Sequence, residues 1–448
     1  MLCEINTPIL SSHRKSVAQG FHAQVSVDSV LSTLTELGIP FRIRIFDPLT
    51  KLLAFLTQIF SDDSSCRNAV ASVIAARKAQ DLPACCFNTG SLSKAKARLP
   101  IALFSTVAKK AAIIAEKDWK HGRVIVVDGT GVSMPDTKAN KNSFPLRMTN
   151  MNGFPGARIA ALFSLSSGAL IDLALAPMKG KGTGETTLLK RIWHNLKAGD
   201  TLLGDSLFSN YGILSHAQKH GIHVVSELRP SRCKRLKKKQ YDQVIELKKI
   251  GPLPMHTSRE EFDKWPDSVQ VRIIKIKCAP KGFRPKVKYI LTNLLDRRTT
   301  TAEEIMDLYK RRWQVELNLR SIKTTLGMDV LRGLTPAMVE KEIWVYALAY
   351  NLIRAVIYAA GILKQIPPMC LSFRAAQQLF NLFRTGNISS TTRSSSLGEE
   401  FLELIASQVV GTRPDRYEPR VIKRRQKNYT LMSESRTSAK RRLHKKWK

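Results

Sequence analysis

The spacing of apolar residues divides the chain into regions that favour different secondary structures. In residues 1–118, apolar positions recur at helical intervals, as in LSTLTELGI and KLLAFLTQIF. We therefore predict a helical N-terminal domain over residues 1–118. Residues 119–228 instead contain short β-branched runs separated by helical segments. Their predicted order is a strand (RVIVVDGT), a hairpin (ARIAALFSL and ALIDLALAP), a helix (GETTLLKRIWHNL), a strand (DTLLGDSLF), a helix (GILSHAQKHG) and a strand (IHVVSEL). This alternation predicts an α/β fold, a mixed sheet covered by helices.

The C-terminal half begins with a different pattern. Residues 229–300 contain a dense basic run, many prolines and the alternating segments VQVRIIKIK and KVKYILTNL. Alternation of apolar and polar residues indicates half-exposed strands, so we predict a β-rich basic insertion over residues 229–300. Residues 301–365 carry two predicted helices, one over Ile305–Leu326 and an apolar one around Trp344–Leu363. Residues 366–448 form a predicted helical region followed by a basic tail.

The apolar helix near Trp344 is long enough to be compared with a membrane span. Asn351 and Arg354 interrupt its apolar run. A polar amide and a guanidinium in the middle of a span are costly in lipid. We therefore predict a buried core helix and no membrane association.

The charge of the chain is strongly positive, with 72 Lys and Arg against 36 Asp and Glu, a net charge of +36. Residues 412–448 hold 14 of the basic and three of the acidic residues, so +25 lies before this tail. A positive charge spread over the body attracts polyanions, and nucleic acid is the most abundant of them. A basic soluble protein, a membrane-surface binder and an RNA-binding protein are the alternatives. The seven cysteines are scattered without a Cys-x-x-Cys pair, and the N-terminus has no signal-peptide pattern, which favours a reducing cytoplasm.

Three acidic residues are the candidates for chemistry. Asp128 and Asp205 each follow a buried-type strand, and Glu316 lies on the helix after the insertion. Neighbouring strand ends lie at one edge of a sheet, where α/β proteins bind their ligands. Carboxylates that converge need cations, and oxygen ligands without His or Cys favour Mg²⁺. Each residue also has an ordinary alternative: a turn residue for Asp128, an N-cap for Asp205 and a surface salt bridge for Glu316. Asp136 is a competitor for the first position, but it follows Pro135 in a predicted loop.

The helix around Glu316 carries a further pattern. Arg312, Glu316 and Lys323 follow Tyr309 by three, seven and fourteen residues. At about 100° per residue, these four positions lie within roughly 60° of one another on a helix. The stripe combines a carboxylate with groups that bind phosphate.

These motifs resemble those of the DDE transposases of bacterial insertion sequences, in the insertion sequence four family. The Tyr-x₂-Arg-x₃-Glu-x₆-Lys signature of that family matches Tyr309 to Lys323 at every spacing, VVDGT resembles the first-Asp strand, and LLGDSLFSNY resembles the second-Asp motif. The similarity covers roughly residues 90 to 360. Ser206 departs from the pattern, because many members have a basic or small residue directly after the second Asp.

The resemblance implies a ribonuclease H-like core and cut-and-paste transposition. Asp128, Asp205 and Glu316 would then bind Mg²⁺, for which Mn²⁺ would substitute, and the N-terminal helices would bind the transposon end. The partners would be the terminal inverted repeats, the target DNA and a second copy of the chain in a homodimer, in a bacterial, nucleoid-associated setting. The implied DNA-binding residues are Tyr309, Arg312, Lys323, Arg320 and Tyr289. Tyr289, with Trp265 as second choice, is the candidate for stacking on an unpaired base; both are otherwise ordinary sheet or core aromatics.

Two other functions are compatible with the same residues. One is a catalytically inactive DNA-binding protein derived from a transposase. The other is a ribonuclease H-like nuclease that performs no strand transfer.

Overall fold

The computed structural model describes most of the chain. The described residues are 27–41, 44–61, 63–115, 117–145, 153–229, 236, 241–249, 257–278, 286–385, 396–411, 434 and 436–446. The basic run near residues 231–240 and most of the basic tail lie outside them.

The described part of the N-terminal region, from Val27 onward, is mostly helical, and residues 1–26 of the predicted domain lie outside the described residues. Its helices are α1 (Val27–Glu36), α2 (Pro48–Phe60), α3 (Cys66–Lys78), α4 (Thr89–Arg98) and α5 (Ile101–Lys110). Side-chain caps begin several of them: the Asp47 carboxylate accepts a hydrogen bond from Thr50 N, and the Ser65 hydroxyl accepts one from Asn68 N. The apolar faces of α1, α2 and α5 pack on the same core as the central sheet, through residues such as Phe55 and Phe104, whereas α3 and α4 pack with Ala54 in a separate small cluster.

The centre of the molecule is one mixed sheet of eight strands. These are β1 (Val124–Ser133), β2 (Gly156–Ser164), β3 (Leu170–Pro177), β4 (Thr201–Gly204), β5 (His223–Glu227), β6 (Asp242–Lys248), β7 (Ser268–Cys278) and β8 (Lys286–Thr292). Their order across the sheet is β3-β2-β1-β4-β5-β8-β7-β6. Strands β1, β4 and β5 are parallel, whereas β2, β3 and the last three strands join by antiparallel pairs. The predicted mixed sheet is confirmed.

The β-rich segment continues this sheet and does not form a sheet of its own. Strand β8 pairs with β5, β7 with β8, and β6 with β7. A short helix that the sequence pattern did not indicate, α9 (Arg259–Asp263), lies between β6 and β7. The ring of Trp265, two residues after this helix, packs against Gly212 and the Tyr211 ring, so this segment also contacts the first part of the core.

Helices cover both faces of the sheet because successive strand residues point to opposite sides. Ile125, Val127 and Leu202 face one side, which is covered by α7 (Glu185–Ile192) and α8 (Tyr211–Lys219). Val126 and Leu203 face the other side. This second side is covered by the N-terminal helices and by the C-terminal helices α10 (Ala302–Lys310), α11 (Gln314–Arg320), α12 (Pro336–Lys364), α13 (Phe373–Thr385) and α14 (Ser396–Ala406). The remaining described helices are α6 (Lys138–Ser143) and α15 (Arg436–Lys446).

Helix α12 is the one helix of the described residues that is long and apolar enough to cross a membrane, and 83% of its apolar window is buried inside the protein. The polar residues that interrupt it have partners there. Asn351 donates hydrogen bonds to Ala108 O and Leu170 O, and Arg354 donates to Asn318 Oδ1 and to the Tyr350 hydroxyl. These contacts fit the predicted core helix.

Candidate active site

Asp128 and Asp205 follow the paired parts of two neighbouring parallel strands at the same distance. The last β1–β4 pair is Val126 with Leu203; Asp128 lies two residues further along β1, and Asp205 lies two residues beyond Leu203, directly after the end of β4. Adjacent strands are about 4.8 Å apart, so the two carboxylates leave the sheet side by side. The prediction that Asp128 ends its strand is wrong, because β2 pairs with β1 as far as Ser133. It is the partner strand β4 that ends at Gly204, which leaves one edge of β1 open beside Asp128.

The surroundings of Asp128 are both buried and acidic. Burial raises its pKa, and the charges of Asp205 and Glu316 raise it further, whereas Gly129 N and Arg312 oppose the shift. Gly129 N donates to Asp128 Oδ1 at 2.8 Å. Asp205 also performs its alternative role, because its Oδ1 accepts from Leu207 N at 2.8 Å and caps the 3-10 turn Ser206–Phe208.

Glu316 lies in a continuous helical segment whose hydrogen-bonding pattern changes along its length. The prediction of a helix over Ile305–Leu326 is confirmed, although the segment is not α-helical throughout. It consists of α10, a 3-10 turn (Arg311–Trp313), α11 and a π-helical turn (Ser321–Thr325), and the backbone at each junction is right-handed helical. Val315 and Leu319 of α11 are buried in the core on the Asp128 side of the sheet, and Glu316 lies between them at the rim, with its side chain 38% exposed.

Arg312 forms an ion pair with Glu316. Its guanidinium donates to Glu316 Oε1 at 3.0 Å and lies 6.0 Å from the centre of the Tyr309 ring. Tyr309 is itself only 8% exposed, and its hydroxyl donates to Glu227 Oε2 at 3.1 Å. Lys288 contacts the same Glu227 oxygen at 2.7 Å. Burial, followed by the charge of Glu227, raises the pKa of Tyr309.

The other predicted DNA-binding residues are Arg320, Lys323 and Tyr289. Arg320 is exposed at the end of α11, and Lys323 is half-buried in the π turn. Tyr289 lies on β8, half-buried against the core on the α7 and α8 side. The competitor Asp136 lies apart from the acidic group: it is exposed and pairs with Lys141 at 2.8 Å.

Two residues near this site were not found from the sequence. Glu185, the first residue of α7, places its carboxylate against the backbone of Gly129, where an added Cβ would lie 2.2 Å from its Cδ. Trp313, between Arg312 and Glu316, is 58% exposed. A glutamate after a glycine and one tryptophan in a basic segment are weak sequence signals, because only the fold shows what lies beside them.

The donor set fits a hard divalent cation. Asp128, Asp205 and Glu316 offer carboxylate oxygens, the ligands that Mg²⁺ and Mn²⁺ prefer. Burial is the main reason for the raised pKa of Asp128, and the charges of Asp205 and Glu316 add to it, so a bound cation would favour the ionised carboxylate. Among the described residues, no three acidic, His or Cys side chains already stand in a metal-binding arrangement, and Glu316 is turned toward Arg312. A cation would therefore have to replace Arg312 as the partner of Glu316.

The comparisons with known proteins identify the family of the chain. The model of the family described as "Transposase DDE domain" matches residues 119–352, just over half of the chain. The chain therefore belongs to this family of transposases, and the predicted function of a DNA transposase is confirmed. The chain is 29% identical over 322 residues to the transposase InsG for insertion sequence element IS4 of Escherichia coli (strain K12), covering 69% of this chain and 70% of that protein. This similarity agrees with the insertion sequence four resemblance.

A solved structure is also similar in outline. It is the cryo-EM structure of the piggyBac transposase synaptic complex with hairpin DNA, with a TM-score of 0.43 and 11% sequence identity. The similarity covers 93% of this chain and 89% of the other.

Proposed function

We propose that the chain moves an insertion sequence by cut-and-paste transposition, with divalent cations held by Asp128, Asp205 and Glu316. The observation that supports the proposal is the register of β1 and β4, whose last pair lies two residues before Asp128 on one strand and two residues before Asp205 on the other. Helix α11, which carries the third carboxylate, that of Glu316, packs against the same face of the sheet as Asp128. No His or Cys is required, so Mg²⁺ is the proposed physiological cation and Mn²⁺ a substitute.

The cations would stabilise the entering and leaving oxygens during phosphodiester hydrolysis and strand transfer. The residues of the chain orient the DNA. Arg312 would leave Glu316 and donate its planar fork to a phosphate near the cut. Tyr309, tied to Glu227, would fix the position of the Arg312 guanidinium. Arg320 and Lys323 would bind phosphates further along the same strand.

We assign base stacking to Trp313 in preference to Tyr289 and Trp265. Trp313 is 58% exposed beside the proposed catalytic Glu316, so its ring face is accessible to an unpaired base. Trp265 is engaged with Gly212 and Tyr211. Tyr289, half-buried on β8, is retained as a DNA contact on the side of the β-rich segment.

The proposed domain organisation follows the sequence boundaries. Residues 1–118 bind the transposon end, residues 119–228 and 301–365 form a ribonuclease H-like core, and residues 229–300 are the β-rich insertion. Residues 366–448 are the C-terminal helical region and tail. The strand order 3-2-1-4-5, with β2 antiparallel to its neighbours, supports the ribonuclease H-like assignment. We further propose a homodimer on the paired inverted repeats, in the cytoplasm of a bacterium and associated with the nucleoid.

The test uses a supercoiled plasmid that carries the cognate element ends. With Mg²⁺, the wild type should cut at the ends and join them to target DNA. Asp128→Ala, Asp205→Ala and Glu316→Ala should bind the ends and lose cutting by at least about 10³-fold, since each removes a ligand of the catalytic cation. Asp136→Ala, which removes an exposed aspartate of the same region, should cut normally.

The products separate the alternatives. Binding without Mg²⁺-dependent cutting by the wild type would indicate an inactive derivative. Cutting without joined products would indicate a nuclease that lacks strand transfer.

A further inference from the structure

Glu185 lies in a notch that glycine provides. Gly129 directly follows Asp128 on β1, and the Glu185 carboxylate occupies the place of the missing side chain. A Cβ at residue 129 would stand 2.4 and 2.5 Å from the two carboxylate oxygens. Cβ atoms in proteins essentially never lie within 3.0 Å of other side-chain atoms, so any larger residue at position 129 would displace the Glu185 side chain.

This position is unfavourable for an ordinary salt-bridging glutamate. Its Oε1 lies 4.0 Å from Arg158 Nε, the outer limit of an ion pair, while another Arg158 nitrogen donates to Thr183 O at 2.9 Å. The side chain is 25% exposed. Burial raises the pKa of Glu185, and the charges of Asp128 and Asp205 raise it further, against the opposing charge of Arg158. The N-terminus of the short helix α7 offers a modest compensation.

The fold explains how Glu185 reaches the other carboxylates from the opposite face of the sheet. Glu185 belongs to the layer of α7, whereas Asp128 shares the face of Val126. Strand β4 ends at Gly204, so nothing in the sheet continues beside Asp128 and Gly129 on that edge. Side chains from both faces can extend into the space beyond the end of β4.

We infer that Glu185 is a fourth carboxylate of the cation site, and that Gly129 is the notch that admits it. This inference rests on the proposed function, because it concerns the same cations. Glu185 supplies a carboxylate oxygen, directly or through a water ligand, on the side of the site opposite Glu316. Four carboxylates carry more negative charge than one divalent cation can neutralise. The site therefore favours two divalent cations over one.

The first test is Mn²⁺ binding to the full-length, DNA-free chain, followed by the paramagnetic resonance of free Mn²⁺. Glu185→Gln keeps the shape of the side chain and removes its charge, and Gly129→Ala displaces the carboxylate without changing its chemistry. Both should weaken Mn²⁺ binding by about 10- to 100-fold, the range for groups that support a bound metal. The matched control is Glu303→Gln, an exposed first-turn glutamate of α10, which should bind Mn²⁺ as the wild type does.

The second readout is thermal unfolding of Glu185→Gln. In EDTA its Tm should equal or exceed that of the wild type, because repulsion from Asp128 and Asp205 is removed. In Mn²⁺ its Tm should rise less than that of the wild type. A purely structural Glu185 would give a lower Tm in both conditions and unchanged Mn²⁺ affinity, which would overturn the inference.

Asp128→Asn separates this inference from the proposed function. If Asp128→Asn loses Mn²⁺ binding while Glu185→Gln retains it, the fourth carboxylate is refuted and the three-carboxylate site stands. If the wild type shows no saturable Mn²⁺ binding, or if neither variant alters it, both proposals fail.

Discussion

At the scale of single residues, the Tyr-Arg-Glu part of the signature forms one connected unit. Glu227 accepts the hydroxyl of Tyr309, the Tyr309 ring lies beneath Arg312, and Arg312 binds Glu316. Each residue of the unit restrains the position of the next residue. The three residues therefore do not act as separate phosphate contacts. Under the proposed function, the connection implies that Tyr309 would act on DNA mainly through the position of Arg312.

Trp313 permits a test at the same scale. Trp313→Ala should weaken binding of DNA with an unpaired base at the cut by about 1–3 kcal/mol, the contribution of one stacked base. The free energy of unfolding should change by less than about 0.5 kcal/mol, because the ring is mostly exposed. Fluorescence of 2-aminopurine at that base would report stacking directly. Leu317→Ala, an exposed apolar neighbour one turn away, is the control and should leave the fluorescence unchanged; equal effects of both variants would contradict the stacking role.

At the scale of elements, the core helix α12 anchors the segment that carries Glu316. Buried Arg354 of α12 donates to Asn318 Oδ1 of α11 at 2.7 Å and to the Tyr350 hydroxyl at 2.9 Å. Asn318 lies two residues after Glu316 and on the buried side of α11. The contact therefore fixes the rotation of α11, and with it the direction in which Glu316 points.

The anchor can be removed from the side of α11. Asn318→Ala should lower the free energy of unfolding by about 1.5–3 kcal/mol, because a buried guanidinium loses its acceptor. Urea denaturation measures the change. Asn318→Asp restores an acceptor and should recover part of the cutting activity that Asn318→Ala loses. An unchanged stability in Asn318→Ala would show that Arg354 finds another partner.

Strand β5 begins with a histidine that should make stability depend on pH. The His223 ring lies 5.4 Å from the ring of His121, which also contacts Thr300. Burial lowers the pKa of both His121 and His223. The charge of His121 lowers the pKa of His223 further. The charge of Lys120 lowers the pKa of His121 further, whereas the charge of Glu304 raises it. The folded state therefore keeps these rings neutral when the unfolded chain already takes up protons.

The direction in which stability changes with pH follows from proton uptake by the two states. Below about pH 6.5 the unfolded state binds more protons, so stability should fall as the pH decreases from about 6.5 through the lowered pKa values of the folded state. His223→Gln removes one of the groups and should make the decline shallower. Urea unfolding between pH 7.5 and pH 5 measures the slope, and an identical slope in the variant would refute the assignment.

At the scale of the whole molecule, the continuous sheet and the positive charge define how the protein meets DNA. The eight-stranded sheet makes the β-rich segment part of the same layer as β1 and β4. The charge of +36 is distributed over the chain and is not confined to the tail. Binding to any duplex should thus be dominated by phosphate contacts.

Ionic strength tests this distribution. If the protein neutralises six to ten phosphates, its affinity for nonspecific duplex DNA should fall by about 10³–10⁵-fold between 50 and 200 mM salt. Fluorescence anisotropy at several salt concentrations gives the slope. A variant that ends at residue 411 should retain most of the slope, because +25 of the charge lies before Thr412. A flat response would contradict a wide basic surface.

The sequence by itself determined the order of the elements around the site and the family to which the chain belongs. Alternating β-branched runs are local signals of buried strands, and the spacing from Tyr309 to Lys323 is specific because four residue types must match at once. Asn351 and Arg354 likewise identified a core helix, since lipid would not accommodate them. These properties depend on neighbours in the chain and can be read from it.

Only the tertiary structure decided which side chains meet. The length of β1 depends on its pairing with β2, and the notch at Gly129 depends on a helix that begins 56 residues later. The same holds for the exposure of Trp313 and the burial of Tyr309. Such contacts join residues that are distant in the chain, and local patterns carry no information about the distance between them.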